Sequence, residues 1–190
     1  MQLTSIDEHH DAVTDDHKHA PRVFGDETWT FDHLQAFVIK ISLEPTPKNM
    51  VEFDVVVLFS NHCFTREVKP GEIVEESLIV MDGNIRRVMD KQRYELSLKH
   101  LPQLVHELAT RHIRIADASR PNFVTLELQP ANTGEGPLHY AMFFEVKKDR
   151  SRKRRLLLRV QSAYILENPS KRLLKAEKMR FHVILKRALA

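Results

Sequence analysis

The sequence predicts an α+β fold, an antiparallel sheet of about five or six strands packed against one main helix, with a disordered N-terminal arm. The first observation is the segment Val51–Phe59, whose alternate residues form one apolar face, as in a strand. The other face is polar at one end and apolar in the middle, which is typical of a strand partly covered on both sides. The second is a series of similar segments at 123–128, 139–147 and 156–166, whose connections are too short for a crossover helix and favour antiparallel pairing. The third is the helical spacing of apolar residues in Leu101–Leu108.

The N-terminal segment differs in composition from the rest of the chain. Residues 1–22 are polar and rich in Asp and His, so we predict a disordered arm there and a single α+β domain over residues 23–190. Four histidines of the arm lie close together, namely His9, His10, His17 and His19. They have no defined ligand geometry, so we expect no functional metal site.

The first ordered region has two interpretations. In Trp29–Leu43, Thr30 followed by Asp32 and His33 is compatible with the start of a short helix. The alternation within Phe37–Leu43 instead indicates a strand, which the following prolines would end.

The main helix is predicted over Ser97–Arg111, with Ser97 as its N-cap. Pro102 fits poorly inside such a helix, because proline lacks the N–H that an interior position donates. The alternative start is near Leu101, which places Pro102 in the first turn.

The segment Leu156–Leu166 is predicted to be a central strand. Simple alternation places Ser162 and Tyr164 on the same face as the apolar row of Leu156, and Arg159 and Gln161 on the opposite face. One interpretation is structural, with Tyr164 filling the core and Ser162 acting as a small spacer. The other is that their hydroxyl groups take part in chemistry.

Charge is distributed unevenly along the chain. Residues 1–95 contain 10 Lys and Arg against 18 Asp and Glu, whereas residues 96–190 contain 19 against 8. Clustered cations gain affinity for polyanions by releasing counterions, so we predict a nucleic-acid partner, RNA more than DNA. The other interpretation is that the acidic half covers the basic half within one domain. The predicted nucleic-acid contacts are all cationic, namely Arg66, Lys147, Lys148, Arg150, Arg152, Lys153, Arg154, Arg155 and Arg159.

Four side chains are candidates for catalysis. His62 follows the Val51–Phe59 strand, and histidine can take up and release a proton near neutral pH. Arg93 can stabilise a pentavalent phosphate, and Ser162 and Tyr164 add hydroxyl groups. This set contains no carboxylate pair and no cluster of metal ligands. It is typical of metal-independent RNA cleavage, in which the substrate's own 2′-hydroxyl is the nucleophile.

A helix before a late antiparallel sheet, and a strand ending in Ser-Ala-Tyr, resemble the barnase–EndoU–colicin–RelE group of small RNases, many of which are toxins. The resemblance extends over about residues 51–166. It implies a metal-independent endoribonuclease of toxin or stress-effector type. The family's pattern of His, Arg and Ser or Tyr on adjacent elements would correspond to His62, Arg93, Ser162 and Tyr164.

Several other chemistries are disfavoured. Cys63 is next to His62, and adjacent strand residues point to opposite faces, so His62 would not activate the thiol. His106 and His112 do not share a helix face, which argues against a zinc site. The chain has only five glycines and no glycine-rich phosphate loop, so we expect no nucleotide cofactor.

The remaining expectations concern location and partners. A single cysteine excludes an internal disulfide, and we see neither a membrane-spanning run nor a secretion signal, so we expect a cytoplasmic protein without a membrane partner. The alternative function is a non-catalytic module that binds nucleic acid or a protein partner, such as an inhibitor, through the basic C-terminal half. On a third interpretation the basic run is only a solvated turn.

Overall fold

The computed structural model describes residues 2–7, 19–46, 49–115, 122–128, 138–167 and 175–190. These ranges contain strands β1 (Gln2–Asp7), β2 (Arg22–Phe24), β3 (Glu27–Trp29), β4 (Phe37–Thr46), β5 (Asn49–Phe59), β6 (Thr65–Glu67), β7 (Ile79–Asp82), β8 (Ile85–Met89), β9 (His112–Ile115), β10 (Asn122–Leu128), β11 (Leu138–Lys148), β12 (Arg155–Leu166) and β13 (Glu177–Arg180). The α-helices are α1 (Lys91–His106) and α2 (Phe181–Leu189).

Eight of the strands form one mixed sheet in the order β1-β4-β5-β12-β11-β10-β9-β13. Strands β5 and β12 are parallel, and the other neighbours are antiparallel. Strands β2 and β3 form a small hairpin, and β6, β8 and β7 form a three-stranded sheet.

The predicted antiparallel sheet of about five or six strands against one main helix is therefore wrong. The described chain is mostly β, its main sheet has eight strands with one parallel pair, and two α-helices contribute to the core. The parallel pair requires a long crossover. Here the crossover is the whole segment between Phe59 and Arg155, which carries α1 and the three-stranded sheet. Alternation within a strand indicates its faces but does not identify a partner so distant in sequence.

The main core lies between one face of the sheet and the two helices. Both helices bury residues with helical spacing, and full burial of each such side chain stabilises the fold by roughly 1.5–3 kcal/mol. The buried helix residues of this core are Leu101, Leu104 and Val105 of α1 and Phe181, Ile184 and Leu185 of α2. Among the described residues, no helix combines the length and apolar character needed to cross a bilayer.

Helix α1 begins at Lys91, earlier than either predicted start. Asp90 is the N-cap, because its Oδ1 accepts a hydrogen bond from the Arg93 backbone N–H at 2.9 Å. Pro102 lies inside the helix. The buried neighbours of Pro102 pack against the sheet and offset the missing hydrogen bond. The early start places Arg93 in the first turn.

Part of the segment predicted as a disordered arm forms a strand. Residues Gln2–Asp7 pair with β4 and satisfy its backbone hydrogen bonds. For the region Trp29–Leu43, the structure contains both a short helix and a strand. The 3-10 helix Asp32–Leu34 precedes strand β4. The clustered histidines before His19 lie outside the described residues.

Candidate functional site

A β-bulge in β12 reverses the predicted faces of its second half. Phe144 is paired with Val160 and Phe143 with Ser162, so Gln161 is the extra residue. Directly paired residues share a face, and Ser162 therefore lies on the face opposite Val160. The prediction that Ser162 and Tyr164 continue the apolar row is wrong, because strict alternation fails at the bulge.

Ser60, which follows β5, contacts the bulge. Its backbone N–H donates to Val160 O at 3.0 Å, and its hydroxyl donates to Gln161 O at 2.6 Å. The same hydroxyl oxygen accepts the His62 backbone N–H at 3.1 Å and caps the short 3-10 helix Asn61–Cys63. One serine thus connects the bulge to the turn that carries His62.

Tyr164 belongs to a row of stacked side chains on the second face of the sheet. The rings of Phe123 and Phe143 are 5.4 Å apart, and those of Phe143 and Tyr164 are 5.3 Å apart, with small interplanar angles. The row ends on Arg93, whose guanidinium carbon lies 4.8 Å from the Tyr164 centroid. This is the geometry of a cation–π contact.

Arg93 reaches this position from the first turn of α1. Its Nη1 donates to Thr65 O at 2.8 Å and to His62 O at 3.3 Å. Burial lowers the pKa of the guanidinium, and the nearby Asp90 carboxylate opposes that shift. Arginine remains charged in this environment, so the centre of the site is a cation.

The imidazole of His62 pairs with Asp82, the last residue of β7. Nε2 of His62 lies 2.7 Å from Oδ2 of Asp82, and both side chains are partly exposed. A carboxylate on one ring nitrogen fixes the orientation of the ring and leaves Nδ1 available to take up a proton. Asp82 was absent from the predicted site, because its Asp-Gly sequence indicates only a turn.

The structure therefore brings three of the four predicted catalytic residues into contact. Arg93 touches the backbone carbonyl of His62 and the ring of Tyr164, whereas the His62 imidazole pairs with Asp82. Ser162 lies two positions from Tyr164 on the same face. The assembly joins four elements, since β12, α1, β7 and the turn after β5 each supply one group.

An open cavity of about 470 Å³ adjoins this assembly on the Asp82 side. Ser60 and Asn61 form one wall, and Arg22 and Arg159 supply two cations. The cavity is lined by His19, Ala20, Arg22, Leu58, Phe59, Ser60, Asn61, Phe64, Val80, Met81, Asp82 and Arg159.

The predicted nucleic-acid contacts fall into two groups. The first makes specific bonds within the fold. Arg66 pairs with Glu72 and Asp90. Lys147 pairs with Glu145, and Lys148 donates to a backbone carbonyl of α2. Hydrogen bonding of this kind limits how freely these cations can bind a ligand.

Arg155 also belongs to the first group. It pairs with Asp149, and both side chains are nearly buried. Asp149 additionally accepts the Ser151 backbone N–H at 2.8 Å, so this pair closes the turn between β11 and β12.

The second group is exposed. The turn between β11 and β12 carries four cations that make no ion pair with any described residue, namely Arg150, Arg152, Lys153 and Arg154. We call these four residues the hairpin cations. Arg159, on the second face of β12, is also exposed and without an ion pair to a described residue.

Buried and metal-ligating groups were also considered. Burial raises the pKa of the Cys63 thiol to about 12, which makes it a poor nucleophile. Within the described ranges, no group of three or more His, Cys, Asp or Glu side chains is placed to share a metal ion.

Comparison with known proteins supplies a family. No curated protein and no solved structure has significant similarity to this chain. The model of the YjaZ family matches residues 21–189, which is most of the sequence. The chain belongs to the YjaZ family.

Proposed function

We propose that this protein binds RNA and cleaves it without a metal ion. The observation that carries the proposal is that Arg93 touches both the His62 backbone and the Tyr164 ring, while Asp82 holds the His62 imidazole. A cation thus lies against a phenol ring and against the backbone of the residue whose imidazole is held by Asp82. These are the groups that transfer of a phosphoryl group to a neighbouring hydroxyl requires.

In the proposed reaction, His62 Nδ1 removes the proton from a ribose 2′-hydroxyl. The 2′-oxygen forms a bond to phosphorus as the bond from phosphorus to the 5′-oxygen breaks. Tyr164 donates its phenolic proton to the departing 5′-oxygen. The products are a 2′,3′-cyclic phosphate and a free 5′-hydroxyl, and the two side chains together carry the proton balance.

Arg93 stabilises the charge that develops on phosphorus oxygens in this reaction. Its Nη1 donates hydrogen bonds to two backbone carbonyl groups. Its Nε and Nη2 have no hydrogen-bond partner among the described residues and can bind phosphate oxygens.

The test is cleavage of single-stranded RNA by purified protein in excess EDTA. The wild-type protein should produce fragments with cyclic phosphate ends. His62→Ala should abolish cleavage and leave RNA affinity within about twofold, since only the base is removed. His112→Ala, which changes an exposed histidine of β9, is the matched control and should cut normally. Intact RNA with the wild-type protein would refute the catalytic proposal.

The second candidate is RNA binding without cleavage. It is favoured by the hairpin cations, which are exposed and make no ion pair with described residues. This function predicts RNA affinity that falls steeply with salt and no fragments under any metal-free condition. Affinity that does not change with salt would exclude it.

A further inference from the structure

The cavity beside Asp82 is formed by several elements of the fold. It lies where the end of β5, the end of β7, the entry to β2 and the middle of β12 meet. Its volume of about 470 Å³ is in the range of roughly 300–1,000 Å³ typical of small-ligand sites. We call it the Arg22–Arg159 pocket.

Two guanidinium groups determine the charge of this pocket. Arg22 is anchored by a hydrogen bond from Nη1 to Ile79 O at 3.4 Å. Arg159 is exposed, and neither arginine makes an ion pair with a carboxylate of the described residues. The acidic residue in the lining, Asp82, is already hydrogen-bonded to His62. Among the described residues, the pocket therefore has two cations without a carboxylate partner, which suits a phosphate group.

One partly exposed ring, that of His19, borders the same space. The rings of His19 and Phe64 meet edge to face, with centroids 5.1 Å apart. His19 Nε2 lies 3.1 Å from Phe59 O, which orients the imidazole ring. Phe64 itself is buried and supports the His19 ring. A nucleobase in the pocket can stack on His19, and stacking of this kind contributes about 1–3 kcal/mol per base.

Asn61 adds a polar feature to the lining. Its Nδ2 donates to Met81 O at 3.4 Å, whereas its Oδ1 is buried and has no hydrogen-bond partner among the described residues. An unpaired buried acceptor destabilises the protein. Because this oxygen is buried, a nucleobase N–H removes the penalty only when the Asn61 side chain turns toward the cavity.

We propose that the Arg22–Arg159 pocket binds one nucleotide of single-stranded RNA, with its phosphate on the two arginines and its base against His19. The choice of RNA rests on the function proposed above. Because Asp82 belongs both to the pocket wall and to the His62 pair, a nucleotide bound here lies next to the scissile phosphate. The pocket thus provides a subsite that positions the substrate.

The test uses the four nucleoside 3′-monophosphates as probes, with calorimetry on the full-length protein in EDTA. At least one should bind saturably, and the matching nucleoside and inorganic phosphate should both bind more weakly. Arg159→Gln should weaken binding about tenfold, which corresponds to about 1.4 kcal/mol. Arg187→Gln, which changes an exposed arginine of α2, is the matched control and should change the affinity less than twofold.

Arg159→Gln is the primary variant because its side chain is exposed and makes no ion pair with a described residue. Arg22→Gln is the second, with thermal unfolding used to check that it folds. Saturable binding that neither substitution weakens would overturn the proposal, as would absence of binding at millimolar probe. Equal affinity for inorganic phosphate and nucleotide would overturn the base contact.

The two experiments distinguish failure of the nucleotide site from failure of the catalytic function. His62→Ala should lose cleavage and keep nucleotide binding. If nucleotides bind and RNA stays intact, the catalytic function is refuted and the pocket stands. If RNA is cut but no nucleotide binds, the pocket is refuted and the catalytic function stands.

Discussion

The guanidinium carbon of Arg93 lies 4.8 Å from the centroid of the Tyr164 ring. The two residues come from the first turn of α1 and the second half of β12, which are distant in sequence. The bulge at Gln161 places Tyr164 on the second face of the sheet, where its ring meets Arg93. Through this pair, α1 and β12 both contribute to the candidate site.

Arg93→Lys should destabilise the fold by about 1–2 kcal/mol and abolish cleavage. Lysine is a compact cation that cannot stack flat on a ring while it donates to two carbonyl groups. Urea unfolding measures the first effect, and RNA cleavage in EDTA the second.

Tyr164→Phe separates the roles of ring and hydroxyl. Phenylalanine keeps the stack, so stability should stay within about 0.5 kcal/mol. Cleavage should fall by about 10²-fold or more if the phenol is the proton donor. Unchanged cleavage by this variant would remove Tyr164 from the mechanism.

Asp82→Asn should lower the rate of RNA cleavage by about 10²–10⁴-fold at unchanged RNA affinity. The amide keeps the size of the side chain but no longer orients and stabilises a protonated His62 ring. Single-turnover cleavage measures the rate, and fluorescence anisotropy the affinity. Asp26→Asn, in the turn between β2 and β3, is the control. Full activity of Asp82→Asn would contradict the role of the pair.

Ser60→Ala should destabilise the fold by about 1–2 kcal/mol. The substitution removes the bond to Gln161 O and the cap on the His62 turn together. Because it also loosens the position of His62, cleavage should decrease. Ser60→Thr retains the hydroxyl and should restore most of both properties. Chemical unfolding and the cleavage assay provide the measurements.

His33 should make the protein less stable as the pH falls from about 6.5 to about 4. Burial lowers its pKa from 6.5 to about 4, with Asp32 opposing the shift and His19 adding to it. In this interval the unfolded chain binds more protons than the folded chain, so the free energy of unfolding rises with pH. The change is roughly 2 kcal/mol, less than the full shift implies because the ring is partly solvated.

Urea unfolding between pH 4 and pH 7 tests this effect. His33→Gln should flatten the pH dependence. Some slope should remain, because burial also lowers the pKa values of His100 and His182. An unchanged slope would show that His33 is not the titrating group.

The hairpin cations should control the salt dependence of RNA binding. Replacing Arg150, Arg152 and Lys153 by Gln should reduce the slope of log K against log salt by about 2, since each phosphate contact on a single strand contributes about 0.7. Arg86→Gln is the control, because Arg86 already pairs with Glu76. A slope equal to that of the wild-type protein would assign RNA binding to another surface.

Local patterns predicted individual elements well. The alternation of Val51–Phe59 lies within β5, and the late apolar segments are β10, β11 and β12. The start of α1 was missed because no loop separates the N-cap residue Asp90 from strand β8. The capping hydrogen bond from the Arg93 backbone N–H to Asp90 is visible only in three dimensions. The faces of Ser162 and Tyr164 were missed because one inserted residue reverses every later position of a strand.

For this protein, the amino-acid sequence alone determined most of the individual strands, the excess of cations in the C-terminal half, and the choice of His62, Arg93 and Tyr164 as candidate groups. The tertiary structure decided which of these groups meet. It paired β5 with β12 in parallel, placed Asp82 on His62, and set Arg22 and Arg159 around one cavity. The physical reason is that side-chain periodicity reports local burial, whereas contacts between distant segments depend on the packing of the whole chain.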